Sequence, residues 1–371
     1  MMIMLREIKE FFAKERAYLF VLLALVVIFI LLLLRSVMVV SEDRTVAQTI
    51  PVESHQTNLS PSAEEIQERL AGDPELSFAF ELFFYFFSFA LVTGFFLMIY
   101  DVWRWAAKGE DFIPSASTEV TIRWGIAEVF KVIILFVAFN FLADLFLLML
   151  MKIFFSKMSE KAFFLFPTLA SNVVGIFIIV WVVRVKGSNV RDLFGFELSN
   201  IVPERMKEFL KEIWLGIRTY LAILPIMIAS LAVLVTIATL FAYEPPVHPL
   251  VDVFLEEKQA AAWLVPFSIL LACIIGPIGE EIFFRGFLYP ALRKYWGIWQ
   301  ATCATALLFA VVHANAFALL PIFLLGVVLA RLYEKRRSLT SCITLHVFHN
   351  TAFIGYFFLV KNILMIEGGL G

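Results

Sequence analysis

Apolar runs of about 18 residues or more recur from Tyr18 to Val360, and in a bilayer such runs leave the backbone few options. Every N–H and C=O within lipid needs a partner from the protein itself, so only helices and closed barrels can cross. The runs are continuously apolar and lack the period-two alternation of barrel strands, which selects an all-α, polytopic integral membrane protein. Composition agrees. The 371 residues are 61% hydrophobic and 17% charged, with a mean hydropathy of +0.88, whereas soluble domains are about half apolar and a quarter charged. A formal net charge of −2 offers no basic surplus for nucleic acid, which drops out as a partner. Cys273, Cys303 and Cys342 fall inside apolar runs without metal or redox spacing and read as small core residues.

The expected spans are Tyr18 to Val40, Phe78 to Tyr100, Ala127 to Met151, Phe163 to Val183, Tyr220 to Tyr243, Trp263 to Phe284, Thr302 to His313, Phe317 to Leu332 and Ser341 to Val360. The seventh is too short to cross upright, so it either starts earlier or is partly re-entrant, and the total is eight to nine transmembrane helices. The first is retained as a helix, because acidic residues and no small-x-small site follow it. Two regions emerge: an accessory transmembrane region over 1–260 and a core over 262–360 carried by the last four helices. Within the first, the proline-bearing loop Ser41 to Ser77 is expected to lie outside and lack order. Asn200 and Pro203 are expected to start an amphipathic surface helix over about 200–215.

Basic residues are enriched on the cytoplasmic side of membrane loops. Arg6 to Arg16, Arg104 to Arg123, Arg184 to Arg218, Arg293-Lys294 and Lys335 to Arg337 all fall on one side of the expected topology, opposite the acidic loops Glu42 to Leu76 and Glu244 to Lys258. The N-terminus of this multi-pass cell-membrane protein is therefore expected to be cytoplasmic. Lys152, Lys157 and Lys161 dissent.

Ionisable groups at bilayer depth cost about 2.5–3.5 kcal/mol each, so where they gather is informative. In the first 260 residues they are scattered, and Asn140 and Asp144, four apart, read most simply as hydrogen bonds to a neighbouring helix. The last hundred residues gather Glu280, Glu281, Arg285, His313, His346, His349 and Asn350, which include three of only five histidines. Pro277 between glycines predicts a kink or break just before the glutamates. Glu281 and Arg285 are four apart and can pair, whereas Glu280 points about 100° away and is left to act as a base or to snorkel to the interface. Phe309 and His313 share a stripe, as do His346 and Asn350; His349 reads as packing. A carboxylate with imidazole and amide groups can activate water and stabilise an oxyanion, the two needs of peptide hydrolysis. Glu280, His313 and His346 are also the residue types of a zinc site, although no HExxH motif is present, and they are the ligands if a divalent metal is used.

The order Glu280-Glu281-x-x-x-Arg285, Phe309-x-x-x-His313 and His346-x-x-x-Asn350 resembles the signature of the CPBP family of intramembrane endopeptidases, which includes the CAAX prenyl proteases and bacteriocin-processing (Abi) members. Phe287, Tyr289, Phe323 to Gly326 and Arg191 to Phe196 are similar to looser family features. The resemblance spans residues 262 to 360 and implies that Glu280 activates water, His313 positions it, His346 and Asn350 stabilise the oxyanion, and Glu281 and Arg285 brace the site. It further implies a membrane-embedded or lipidated peptide substrate, including prenylated CAAX-type ends, cut near the cytoplasmic leaflet. Two alternatives remain: a transporter with an intramembrane Glu/His relay, and a catalytically silent immunity or scaffold member of the same family. Transporters usually carry polar sites in paired repeats, and here the cluster is confined to one end.

Overall fold

The structure is a computed structural model that describes residues 1–28, 63–116, 122–154, 160–190, 193, 202–243 and 263–365. Among these residues all regular structure is helical: α1 (Met2–Lys14), α2 (Arg16–Ile28), α3 (Ala63–Gly72), α4 (Pro74–Lys108), α5 (Ile126–Phe154), α6 (Glu160–Val185), α7 (Val202–Leu240), α8 (Leu264–Trp296), α9 (Ile298–Val312), α10 (Leu319–Arg336) and α11 (Leu339–Met365). Six of them, α4 to α8 and α11, are long and apolar enough to cross a membrane, and shorter apolar helices join them. Large apolar side chains such as Phe78, Phe86, Phe96, Leu142 and Phe177 stand exposed on their outer faces, as a lipid-facing surface requires. The chain is a polytopic α-helical membrane protein.

Local chemistry sets the ends. Asp73 caps α4, its Oδ1 accepting from the Glu75 and Leu76 N–H groups at 3.0 Å; Pro74 opens the first turn, and Gly109 closes the helix in the left-handed region at φ 65°. The stretch expected as a disordered loop up to Ser77 is therefore helical from Ala63, with 41–62 outside the described residues. The surface helix expected over 200–215 is not separate either. It runs without interruption into the fifth span as α7, 39 residues long, and passes through Pro225. The acidic segment Glu244 to Lys258 and most of Arg191 to Phe196 lie outside the described residues.

α8 is the central rod. Of its most apolar window 39% is buried, against 11–22% for the other five long spans. Where a kink or break was expected near Pro277 the helix does not break; it widens into π-type turns over Leu271–Ile275 and again over Ile282–Leu288. Both widenings lie just before a proline, Pro277 and Pro290. Each proline ring would clash with the carbonyl four residues earlier, at Cys273 and Gly286, and a wider turn moves that carbonyl aside without breaking the rod. The Gly276 and Tyr289 N–H groups accordingly reach back five residues, to the Leu271 and Phe284 carbonyls.

Around this rod, α7 packs on α4 and α11, α5 pairs with α6, and α9 and α10 form a tight hairpin. Gly326 makes the hairpin close: a β-carbon there would lie 3.0 Å from the Ala306 Cα. The seventh expected span starts four residues earlier than predicted, at Ile298, yet its 15 residues still reach only about 22 Å.

The basic residues expected on one side do meet at one end of the bundle. Arg218 pairs with Asp101, Arg104 with Glu110, Arg293 and Arg337 with Glu334, Lys335 with Asp111, and Arg336 with Glu212, while Tyr295 bonds Glu7 of α1. Burial ranks these pairs. The Arg336 and Glu212 side chains are 8% and 11% exposed, and Arg336 Nη1 also donates to the Pro114 carbonyl, so Glu212→Gln should cost about 3 kcal/mol. Asp111 is 59% exposed, so Asp111→Asn should cost under about 1 kcal/mol. Thermal unfolding of the two purified variants checks the order.

Candidate active site

The widened rod presents two adjacent glutamates to opposite tasks. Glu281 is fully buried: its Oε1 accepts from Arg285 Nη1 at 2.8 Å, as the four-residue spacing predicts, and also from His346 Nδ1 at 2.8 Å. The second bond crosses from α8 to α11 and was not expected from the sequence. Arg285 is 1% exposed; a further N–H reaches the Gly326 carbonyl of α10 at 3.4 Å, and the guanidinium lies 4.3 Å from the centre of the Phe309 ring. The Phe309 ring meets the imidazoles of His313 and His346 edge-on at 4.7 and 5.6 Å. The phenylalanine of the Phe-x-x-x-His motif is thus the partition against which the cation and both imidazoles are packed.

Glu280 turns the other way, as helix geometry predicts. Its Oε2 is buried without a protein hydrogen-bond partner, 3.9 Å from His313 Nε2 and 3.8 Å from His346 Nε2. These gaps are too long for direct hydrogen bonds. A water oxygen can lie about 2.8 Å from Oε2 and from a facing Nε2 at the same time. The remote ring nitrogens are already committed: His346 Nδ1 to the Glu281 carboxylate, and His313 Nδ1 to the Phe309 carbonyl at 2.6 Å. Both partners only accept, so each Nδ1 carries a proton, and Nε2 is the ring nitrogen each imidazole turns toward Glu280. His313 ends α9, where the chain turns through Ala314 at φ 49°.

Asn350 shares a face with His346, and its Nδ2 donates to the Ala272 carbonyl at 2.8 Å. That carbonyl belongs to the first widened turn, so part of the Asn350 amide closes a bond that the α8 ladder leaves open. One amide hydrogen remains for other work. His349 faces away and meets the Tyr220 ring of α7 edge-on at 6.0 Å, consistent with packing. Asn140 bonds Ser171 on the neighbouring α6 as expected, whereas Asp144 is exposed.

Two residues that precede α8 in the chain reach the rod without any signal in the motifs. The Trp124 indole donates to the Phe287 carbonyl at 3.0 Å and stacks on the Phe287 ring, serving the second widened turn as Asn350 serves the first. Asn172 of α6 packs on Gly279: a β-carbon there would lie 2.5 Å from its side-chain oxygen. Glycine one residue before Glu280 lets α6 close against the site. Among the described residues no three His, Cys, Asp or Glu side chains are gathered as a metal-holding group, and Glu280, His313 and His346 are no exception in this arrangement.

The arrangement is a polytopic helical bundle that holds a partly exposed carboxylate, one oxygen of which is buried between two imidazoles. Residues 262–352, which run from α8 into α11, match the family described as Type II CAAX prenyl endopeptidase Rce1-like. A stretch of 87 residues is 33% identical to the Bacillus subtilis (strain 168) protein named "Putative membrane peptidase YdiL", covering 24% of this chain and 36% of that protein. The chain therefore matches about a third of that relative's length. No solved structure gives a significant match.

Removing one member of the buried charge cluster strands the others. Glu281→Gln should lower stability by about 3 kcal/mol, and it replaces the carboxylate that fixes His346. Thermal unfolding should show a clear drop for Glu281→Gln and almost none for Glu280→Gln, whose side chain is partly exposed.

Proposed function

We propose that the protein is an intramembrane endopeptidase in which Glu280 activates water against a peptide bond of a membrane-embedded or lipidated substrate. The observation that carries this reading is the buried Glu280 Oε2 facing two imidazole Nε2 atoms at 3.8–3.9 Å, each ring oriented by a bond to its other nitrogen. The Rce1-like match supports membrane protease chemistry, and membrane-embedded or lipidated peptides are the substrate class it implies.

The chemistry follows from the proton inventory. A water held between Glu280 and His313 donates one hydrogen to the carboxylate and the other to the His313 Nε2 lone pair, which leaves its own lone pair free to attack. Attack transfers a proton to Glu280 and forms a tetrahedral oxyanion. His346, held at Nδ1 by Glu281, faces that charge through Nε2 and serves as a donor to it when that nitrogen carries a hydrogen. The free amide hydrogen of Asn350 is the second donor. Collapse returns the proton from Glu280 to the departing amine, so no covalent intermediate is needed.

Placing the basic end of the bundle in the cytoplasm follows from the positive-inside rule and puts the N-terminus there too. Reporters fused after Arg293 and after Arg337 should both score cytoplasmic; external signals from both would move the site to the other leaflet's chemistry. In a cleavage assay on a library of membrane-anchored and prenylated peptides, Glu280→Gln should lose about 10²-fold or more in rate with its fold intact. Parent-like cleavage by Glu280→Gln would remove it as the base. Activity that survives exhaustive chelation supports the glutamate reading, whereas loss restored by zinc would recast Glu280, His313 and His346 as ligands.

A further inference from the structure

The α9–α10 hairpin carries two features on the face turned away from the site. An apolar groove of about 380 Å³ runs between the helices, lined by Cys303, Ala304 and Leu307 of α9 and Leu319, Leu320 and Phe323 of α10. At the basic end of the same hairpin lies a second cavity of about 230 Å³, lined by Arg331, Lys335, Arg337, Glu334 and Ser115 among others. Helical spacing puts both on one seam. Trp299, Cys303 and Leu307 follow at four-residue steps along α9, and Leu319, Phe323, Val327 and Arg331 do so along α10. The Arg331 guanidinium sits 4.5 Å from the centre of the Trp299 ring, which closes the seam at its polar end. Leu307 to Trp299 is about 12 Å of helix rise. Leu307 precedes Phe309 by two residues, about 200° around the helix, so the seam and the catalytic cluster occupy opposite faces of α9.

We infer that this seam is a binding site for one anionic phospholipid, its phosphate held by Arg331 with Lys335 and its acyl chain lying in the groove. Charge complementarity selects the occupant. Glu334 is shared by Tyr289, Arg293 and Arg337, and Asp111 is held by Lys335, while Arg331 has no carboxylate partner among the described residues. Four cations thus stand over two carboxylates at the level where helix ends meet headgroups, and the exposed Trp299 supplies an aromatic anchor at that level. A free phosphate would use only the upper cavity, and an uncharged lipid only the groove. The site accounts for why so exposed a stripe ends in an arginine stacked on tryptophan instead of paired with an acid.

The test uses the full chain in mixed micelles. Native mass spectrometry should find one phosphatidylglycerol bound at least about tenfold more tightly than phosphatidylcholine, and Arg331→Gln should weaken it about fivefold, the worth of one interfacial cation. Cys303→Trp, which fills the groove, should also weaken it. A second measurement needs no variant. Cys303 is the exposed one of three free cysteines, the other two being buried, so phosphatidylglycerol should slow its maleimide labelling several-fold where phosphatidylcholine does not. Equal binding of the two lipids, unchanged binding in Arg331→Gln, or absence of protection would overturn the inference. Competition by glycerol phosphate at the same concentration would reduce the site to a phosphate pocket, and stronger protection by a farnesylated peptide would assign the groove to substrate; either result also defeats it.

Discussion

The carboxylate of Glu281 is fully buried, and one of its oxygens holds both the Arg285 guanidinium and the His346 imidazole. Through Arg285 the same cluster reaches the Gly326 carbonyl and the Phe309 ring, so a single acidic side chain ties α8 to α9, α10 and α11. A lone charge at this depth would be expelled or neutralised; a carboxylate and a guanidinium together have no net charge. Apolar packing could hold four helices with less electrostatic cost. It could not hold an imidazole by one nitrogen while aiming the other at Glu280.

The rod that carries both glutamates is widened on either side of them, which disturbs the regular backbone ladder in a place where lipid offers no substitute partner. The two carbonyls named in the structure find side-chain donors, Ala272 from Asn350 and Phe287 from Trp124. Asn350, whose second amide hydrogen is a donor in the proposed reaction, uses the first to tie α11 to α8. Trp124 shows that the N-terminal region is coupled to the rod. The residues preceding α8 do more than anchor a self-sufficient core.

Local spacing made part of this legible. Four-residue separation predicted the Glu281–Arg285 pair, the shared stripe of Phe309 and His313, and the opposite facing of Glu280, because a helix fixes those angles before any tertiary contact forms. The Glu281–His346 bond was not readable, since 65 residues separate the partners and nothing in either motif sets the rotation of α8 against α11. The kink or break expected at Pro277 was misleading in the same way, since it follows from local sequence alone. Proline removes one donor and crowds one carbonyl, and in a packed bundle a widened turn or a neighbour's side chain absorbs both, so the helix continues where a water-exposed one would stop. Asn172 escaped notice because its partner is the backbone of Gly279, which has no side chain to advertise a contact.

The short α9 then explains how water reaches a carboxylate in an apolar bundle. Its 15 residues span about 22 Å, and α10 returns from the turn at Leu319, so the segment His313 to Ala318 lies about 8 Å short of crossing a hydrocarbon layer about 30 Å thick. Non-helical backbone at that depth is tolerated only where protein buries it or where it lines an aqueous space. Asn315 satisfies part of this turn by accepting from the Ala318 N–H at 3.0 Å, but the His313 and Glu280 side chains remain 29% and 36% exposed. The hairpin therefore ends beside the proposed site: the shortfall in helix length leaves Glu280 and His313 accessible for the proposed reaction, and Phe309, one turn before His313, stands between them and the ion pair on which the four helices depend.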